Sequence, residues 1–386
     1  MTSPVALCDV CAALPRGATP EIEWPAPVQA DEWEHDDRIR GVLVGLAVGD
    51  AIGGLRHRGG ELADDLAPGS IQTGGATQLA LFTAEGLLRM RVRLAAKGIG
   101  PLWAVIRHGL DRWMLTQGRA PQPIFGPPEE EWPDGWLVRQ HRMHRRVEGF
   151  SATVSALSTR IDPSEALVER RIPPEVPSTS AGAGALVRVA AVGLLLEPRD
   201  ALLVGAITSV YTHGHPTGYL AGAALARIIS GLVHGEAIDE AITQARVGLE
   251  TWDGSAEIRS VLGGHPAQSA SGAARALRAG LDYACLIKPA PGVAAAERAT
   301  AKGGTAAGIV AGVISGARSG ASAFPAWWSA APDVADIIDE MIRATSTAHR
   351  TWVMGRAIAG YGGDPIAAGE QEPCDFDLFW SRFPGW

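Results

Sequence analysis

Apolar residues recur at intervals of three and four along most of this chain and almost nowhere at every second position. From Arg38 onward that spacing predicts helices over residues 39–51, 77–96, 100–115, 138–159, 183–195, 199–211, 217–234, 238–251, 267–279, 306–317 and 334–348, because a period near 3.6 keeps one helix face apolar. Start signals agree: Asp200 precedes the apolar run at 201–203, and Pro332-Asp333 precedes the helix at 334. Gly- and Pro-rich breaks fall at 117–135 and 170–178. The expectation is one all-α domain over residues 38–386, a compact orthogonal multi-helix bundle. Ahead of it, residues 1–37 have five prolines, several acids and no sustained period. They read as a tail, with Trp24 and Trp33 as anchors for docking on the body or on a protein partner.

Residues 201–226 carry no Asp, Glu, Lys or Arg, a length that matches a membrane span. His213, His215, Pro216 and several glycines interrupt it, so two buried helices around a turn fit better. No basic start or long apolar run marks a secretory signal. The expected location is cytoplasmic, with no membrane partner.

Composition narrows the classes further. The 386 residues hold 34 basic and 42 acidic side chains, a net charge of −8. Non-specific nucleic-acid binding depends on neutralising phosphates, so no nucleic-acid partner is expected. The basic cluster Arg139, Arg142, Arg145 and Arg146, with His141 and His144, reads as a solvated helix face. Four cysteines make no disulfide scaffold, and Cys8 with Cys11 lacks a second close pair for zinc.

Two glycine-rich stretches change the picture. Gly41, Gly45, Gly49 and Gly53 punctuate the first helix. Each costs about 1 kcal/mol relative to Ala inside a helix, so close approach of another backbone or a ligand must offset it. Asp50 lies among them, and two uses are open to it: orienting a metal-bound water, or capping a neighbour or facing solvent. The second stretch, Thr73-Gly74-Gly75-Ala76-Thr77, is a turn at a helix start, a place suited to anions.

The segment GVLVGLAVGDAIGG resembles the opening helix of the ADP-ribosylglycohydrolase family, the dinitrogenase-reductase-activating type included. TQLALFTAEGLLR, SAGAGALVRVAAVGLLL, TSVYTHGHPTGYLAGAALA and GIVAGVISGARSG resemble further family segments in the family's order, over residues 38–328. The resemblance implies an all-α domain that removes ADP-ribose from modified side chains with two magnesium ions. It places Ser180, Gly182, Ala183 and Gly184 against ADP-ribose, with Arg188 supporting that loop. His213 and His215 would face the diphosphate.

The family's metal motifs are altered in this chain. Thr-Asp-Asp-Thr corresponds to Gly74, Gly75, Ala76 and Thr77, and Asp-x-Asp-Ser/Thr corresponds to Gly303, Gly304, Thr305 and Ala306. Magnesium takes oxygen ligands, mostly carboxylates, in near-octahedral geometry. The expected magnesium pair is therefore absent and no metal ligands are assigned. Gly75, Thr77, Gly303, Gly304 and Thr305 become candidate ligand-binding positions, with Asp50 the one weak catalytic candidate.

The preferred expectation is a catalytically degenerate homologue that binds ADP-ribose, a related nucleotide or a protein partner. One alternative is an active hydrolase with a rearranged site, needing acids from elsewhere such as Asp64, Asp65 or Glu85. Another is a structural or interaction protein whose pocket has closed.

Overall fold

The computed structural model describes residues 32–60, 67–97, 102–124, 132–268, 272–285, 292–359 and 382–383. Most of the proposed tail, with Cys8, Cys11 and Trp24, lies outside them. The described residues form fourteen α-helices: α1 Glu32–His57, α2 Gly75–Lys97, α3 Leu102–Thr116, α4 Ser151–Leu157, α5 Ser164–Val168, α6 Ala190–Leu195 and α7 Pro198–Val210. They continue as α8 Pro216–Val233, α9 Ile238–Gly248, α10 Ala256–Leu262, α11 Gly272–Cys285, α12 Gly292–Gly303, α13 Thr305–Ser319 and α14 Ala335–Ala359. Among the described residues no strand occurs, only a single bridge between Ile71 and Pro332.

The glycines of α1 are answered by backbone. A Cβ at Gly41 would stand 2.5 Å from the Gly316 oxygen, at Gly45 2.6 Å from the Gly312 carbonyl carbon, and at Gly49 2.5 Å from Ile309 Cα. At Gly53 it would meet Thr305 Cβ at 2.6 Å. Contacts that run down α1 as they run up α13 define an antiparallel pair whose backbones touch. The absence of Cβ atoms is what permits that approach.

The uncharged stretch 201–226 falls across α7 and the start of α8, with the turn at Tyr211–His215 between them. Pro216 opens α8, and His215 Nδ1 accepts from Thr217 N at 3.2 Å, so His215 is its cap. α8 is long and apolar enough to cross a membrane by length and composition, and 94% of it is buried inside the fold. It packs against α6, α7, α9, α11 and α13, which is why it is apolar on every side.

The expected helix over 138–159 does not form. Residues 137–139 and 141–144 make short 3-10 turns, and only Ser151–Leu157 is α-helical. Side chains from other helices take the backbone groups that a helix would pair. Gln78 Nε2 donates to the Arg145 carbonyl at 3.0 Å, and Val147 N donates to Gln117 Oε1 at 2.9 Å. The helix expected from residue 183 instead begins at Ala190 after a turn at Leu186–Arg188. Arg188 reaches back to the Gly184 carbonyl at 3.2 Å. The helix expected at 267–279 is Gly272–Cys285, and α10 and α12 were not foreseen.

Candidate functional site

A cleft of ≈ 690 Å³ opens where the starts of α2 and α13 meet the second half of α1 and the 145–150 segment. Its walls include Asp50, Gly53, Gly74, Gly75, Ala76, Ala183, Gly184, Thr305 and Ala306. Arg58, Arg145, Arg146, His57 and Glu148 also border it. Residues from five segments of the chain thus converge.

Asp50 is buried, with 5% exposure, and acts as a cap supplied across helices. Its Oδ2 accepts from Gly74 N at 2.8 Å, Thr77 N at 2.9 Å and Thr77 Oγ1 at 2.7 Å. The two N–H groups are ones that the start of α2 cannot pair within itself. Burial raises the carboxyl above its ordinary range, and the bonds from Thr77 and Gly74 and the nearby Arg145 pull the other way.

The basic cluster is not on one helix: Arg139, His141, His144 and Arg146 are exposed, whereas Arg142 and Arg145 are tied down by partners. Arg145 Nη1 donates to Asp333 Oδ2 at 2.8 Å and its other end reaches the Thr73 carbonyl. Asp333 Oδ1 accepts from Thr73 N at 3.0 Å and from Thr73 Oγ1 at 2.8 Å. Arg142 pairs with Asp336 and donates to the Asp333 carbonyl at 2.9 Å. Arg142 and Arg145 therefore fasten the cleft's rim to the start of α14, while Arg146 stays exposed beside the cleft.

Among the sequence candidates, Asp50, Gly75, Ala183, Gly184 and Thr305 line this cleft; Ser180, Gly182, His213, Gly303 and Gly304 are not among its lining residues. Thr77 is wholly buried and is spent on Asp50. Ser180 Oγ accepts from Gly182 N at 3.1 Å, a bond within the loop itself. His213 lies beneath that loop: a Cβ at Gly184 would meet its ring at 2.8 Å. Burial, with the Arg188 charge beside it, lowers His213 to about 3, so its ring is neutral. Arg188 is buried too and ties the loop to Thr208 and Thr212, both at 2.7 Å. Gly304 is the cap of α13 at φ 80° and ψ −177°, a conformation that only glycine adopts without strain.

Arg58, Val147, Glu148 and Phe150 were not singled out from the chain. For Val147, Glu148 and Phe150 the one signal was Gly149 between them, which periodic reading of the basic cluster obscured; Arg58 carried none.

The carboxylates do not fit a magnesium pair. Among the described residues, no group of three or more His, Cys, Asp or Glu is placed to hold a metal. The cleft offers Asp50, already accepting three bonds, and the exposed Glu148. Glu85 does not enter it. Glu85 is buried in the α2–α3 region, accepting from Trp136 N at 2.7 Å and Leu137 N at 3.1 Å. Asp64 and Asp65 lie outside the described residues.

A family model described as ADP-ribosylglycohydrolase matches residues 31–353. Among solved structures, the chain is similar to one described as an "ADP-ribosylglycohydrolase-related protein complex", with a TM-score of 0.52 and 19% identity. The likeness covers 82% of this chain and 99% of that one, and at this identity it shows the fold alone. No curated protein matches the chain. With the motifs in order, the cleft in place and the match spanning most of its length, the chain belongs to the ADP-ribosylglycohydrolase family.

Proposed function

We propose that this family member acts by binding: it takes ADP-ribose or a closely related nucleotide in the cleft and does not carry out two-magnesium hydrolysis. The observation that carries this reading is the state of Asp50. The carboxylate on the cleft floor is committed to Gly74 and Thr77 as a helix cap. The family motif positions Ala76 and Thr305, which stand beside it in the cleft, carry no acid. The volume of ≈ 690 Å³ suits a small molecule, for which sites run about 300–1,000 Å³. Arg58 and Arg146 border the space and supply positive charge for a diphosphate, while Arg145 is paired with Asp333.

Calorimetry of the full chain with ADP-ribose, in magnesium and then in a chelator, tests this directly. The expected result is binding of equal strength in both, with no release of ADP-ribose from ADP-ribosyl-arginine or ADP-ribosyl-serine. Robust magnesium-dependent turnover overturns the reading, as does failure to bind the nucleotide at all.

A further inference from the structure

We infer that Val147 and Phe150 have taken over the space in which a metal-binding acid at position 75 would stand. The cleft is then closed to a cation pair by packing as well as by composition. A Cβ built at Gly75 would stand 2.6 Å from Val147 Cγ2 and closer still to the Phe150 ring. A whole carboxylate there has no room while those side chains keep their places.

The segment that carries the two side chains is held in place by buried neighbours. Phe150 packs edge-on against Trp113, ring centroids 6.0 Å apart at 71°. Val147 N donates to Gln117 Oε1 at 2.9 Å, and Gln117 Nε2 donates to Gln78 Oε1 at 3.1 Å. Gln78 Oε1 also accepts from Trp113 Nε1 at 3.2 Å. Both amides are buried, Gln78 on α2 and Gln117 just past the end of α3, so displacing the segment would strip several buried polar groups of their partners. On the far side of the segment lies a second hollow of ≈ 620 Å³, lined by Trp113, Gln117, Arg119 and Ser151. Residues 146–150 border both hollows and form the partition between them.

The second motif is altered in a related way. A Cβ at Gly303 would meet Ala307 Cβ at 2.8 Å and Ala279 Cβ at 2.9 Å. An acid there would press into helix packing, and Gly303 does not line the cleft. Of the four, positions 75, 76 and 305 stand on the cleft wall, and at 75 the space for a side chain is taken by Val147 and Phe150, which leaves 76 and 305. Two carboxylates and a committed Asp50 are too few for two hard cations.

This inference rests on the metal-free reading of the same cleft but fails separately from it. That reading falls on nucleotide calorimetry, whereas this one falls on cation binding and side-chain packing. The test compares two full-length variants: Gly75→Asp/Ala76→Asp/Thr305→Asp, and the same three changes with Val147→Ala/Phe150→Ala. Mn2+ binding is measured by electron paramagnetic resonance and calorimetry. Opening the partition is expected to tighten Mn2+ binding by at least ~10-fold, the scale on which groups around a metal site act. Equal affinity in the two, whether strong or absent, overturns the inference. Should either variant not fold, a milder pair decides. Gly75→Ala is expected to lower Tm by about 2 °C or more, and Phe150→Ala in the same chain to recover part of that loss. Additive effects of the two changes overturn the inference.

Discussion

Asp50 carries the residue-scale lesson. The chain alone leaves it a choice between metal chemistry and capping. In the structure its Oδ2 closes the open first turn of α2 through Gly74 and Thr77. Burial is the largest influence on it and raises its pKa. Folding therefore favours the protonated carboxyl. The stability it contributes is full below the ordinary carboxylate range and is lost as pH rises through the raised value. Asn keeps an accepting oxygen without the buried charge. In urea unfolding at neutral pH, Asp50→Ala is expected to lose about 1–3 kcal/mol, the cost of leaving buried donors unpaired. Asp50→Asn is expected to lose clearly less, and equal losses would contradict the capping role. His213 makes the opposite point. Its family resemblance placed it at a diphosphate, and the fold puts it under Gly184 as a neutral ring.

At the scale of elements, the α1–α13 pair turns a spacing of glycines into a testable contact. Gly45 and Gly54 belong to the same helix but differ in what a methyl group would meet. At Gly45 the neighbour is the Gly312 backbone, which cannot move aside. At Gly54 the nearest atom is the flexible Arg58 guanidinium at 3.3 Å. Chemical denaturation should then separate them. Gly45→Ala is expected to lose about 1–3 kcal/mol from overpacking, and Gly54→Ala to gain up to about 1 kcal/mol from helix propensity. Similar outcomes at the two positions would mean that the helices do not touch as described. Legibility followed the same division. Helices α7 and α8 were readable because their apolar period is uninterrupted and the break at Gly214–Pro216 is local. The 138–159 stretch misled because Arg142, Arg145 and Val147 bond to groups on α14, just past α3 and on the 333 turn. Those partners are far away in the chain and leave no periodic trace.

Across the whole molecule, three histidines meet where α1, the end of α8 and α14 come together. The His35 ring lies 4.5 Å from that of His349 and 5.6 Å from that of His234. Glu197, Asp36 and Arg91 are the charged groups that act on them. Burial opposes charge on His234, but the Glu197 carboxylate at 2.9 Å and the Ser230 carbonyl at 2.8 Å outweigh it and raise its pKa. Its contribution is therefore lost as pH rises through the raised value. Burial, then the His234 charge, lowers His35 to about 4 from the usual 6.5. The unfolded chain consequently binds a proton that folded His35 refuses, and the stability from His35 falls as pH drops from about 6.5 to 4. Asp111, raised to about 6 by burial, works in the other direction in that range. The informative quantity is thus a difference in which Asp111 cancels. The stability of the wild type minus that of a His35→Gln variant is expected to shrink by up to about 1.4 kcal/mol per pH unit on acidification. Urea melts at pH 7, 5.5 and 4.5 measure it, and a flat difference would rule out a neutral, half-buried His35.

Helix-rich class, family motifs and the lack of an acid at 75, 76, 303 and 305 were all present in the order of residues. Periodicity and short motifs are properties of neighbouring positions, so the chain carries them without a fold. Which carboxylate is already committed, and which side chains stand against Gly75, were settled only by tertiary structure. Positions 50, 75, 147, 150 and 305 share one cleft because α1, α2 and α13 pack together and Gln78 and Gln117 hold the 145–150 segment over it. Contacts of that kind depend on the closing of long stretches of chain onto one another, and no local pattern records them.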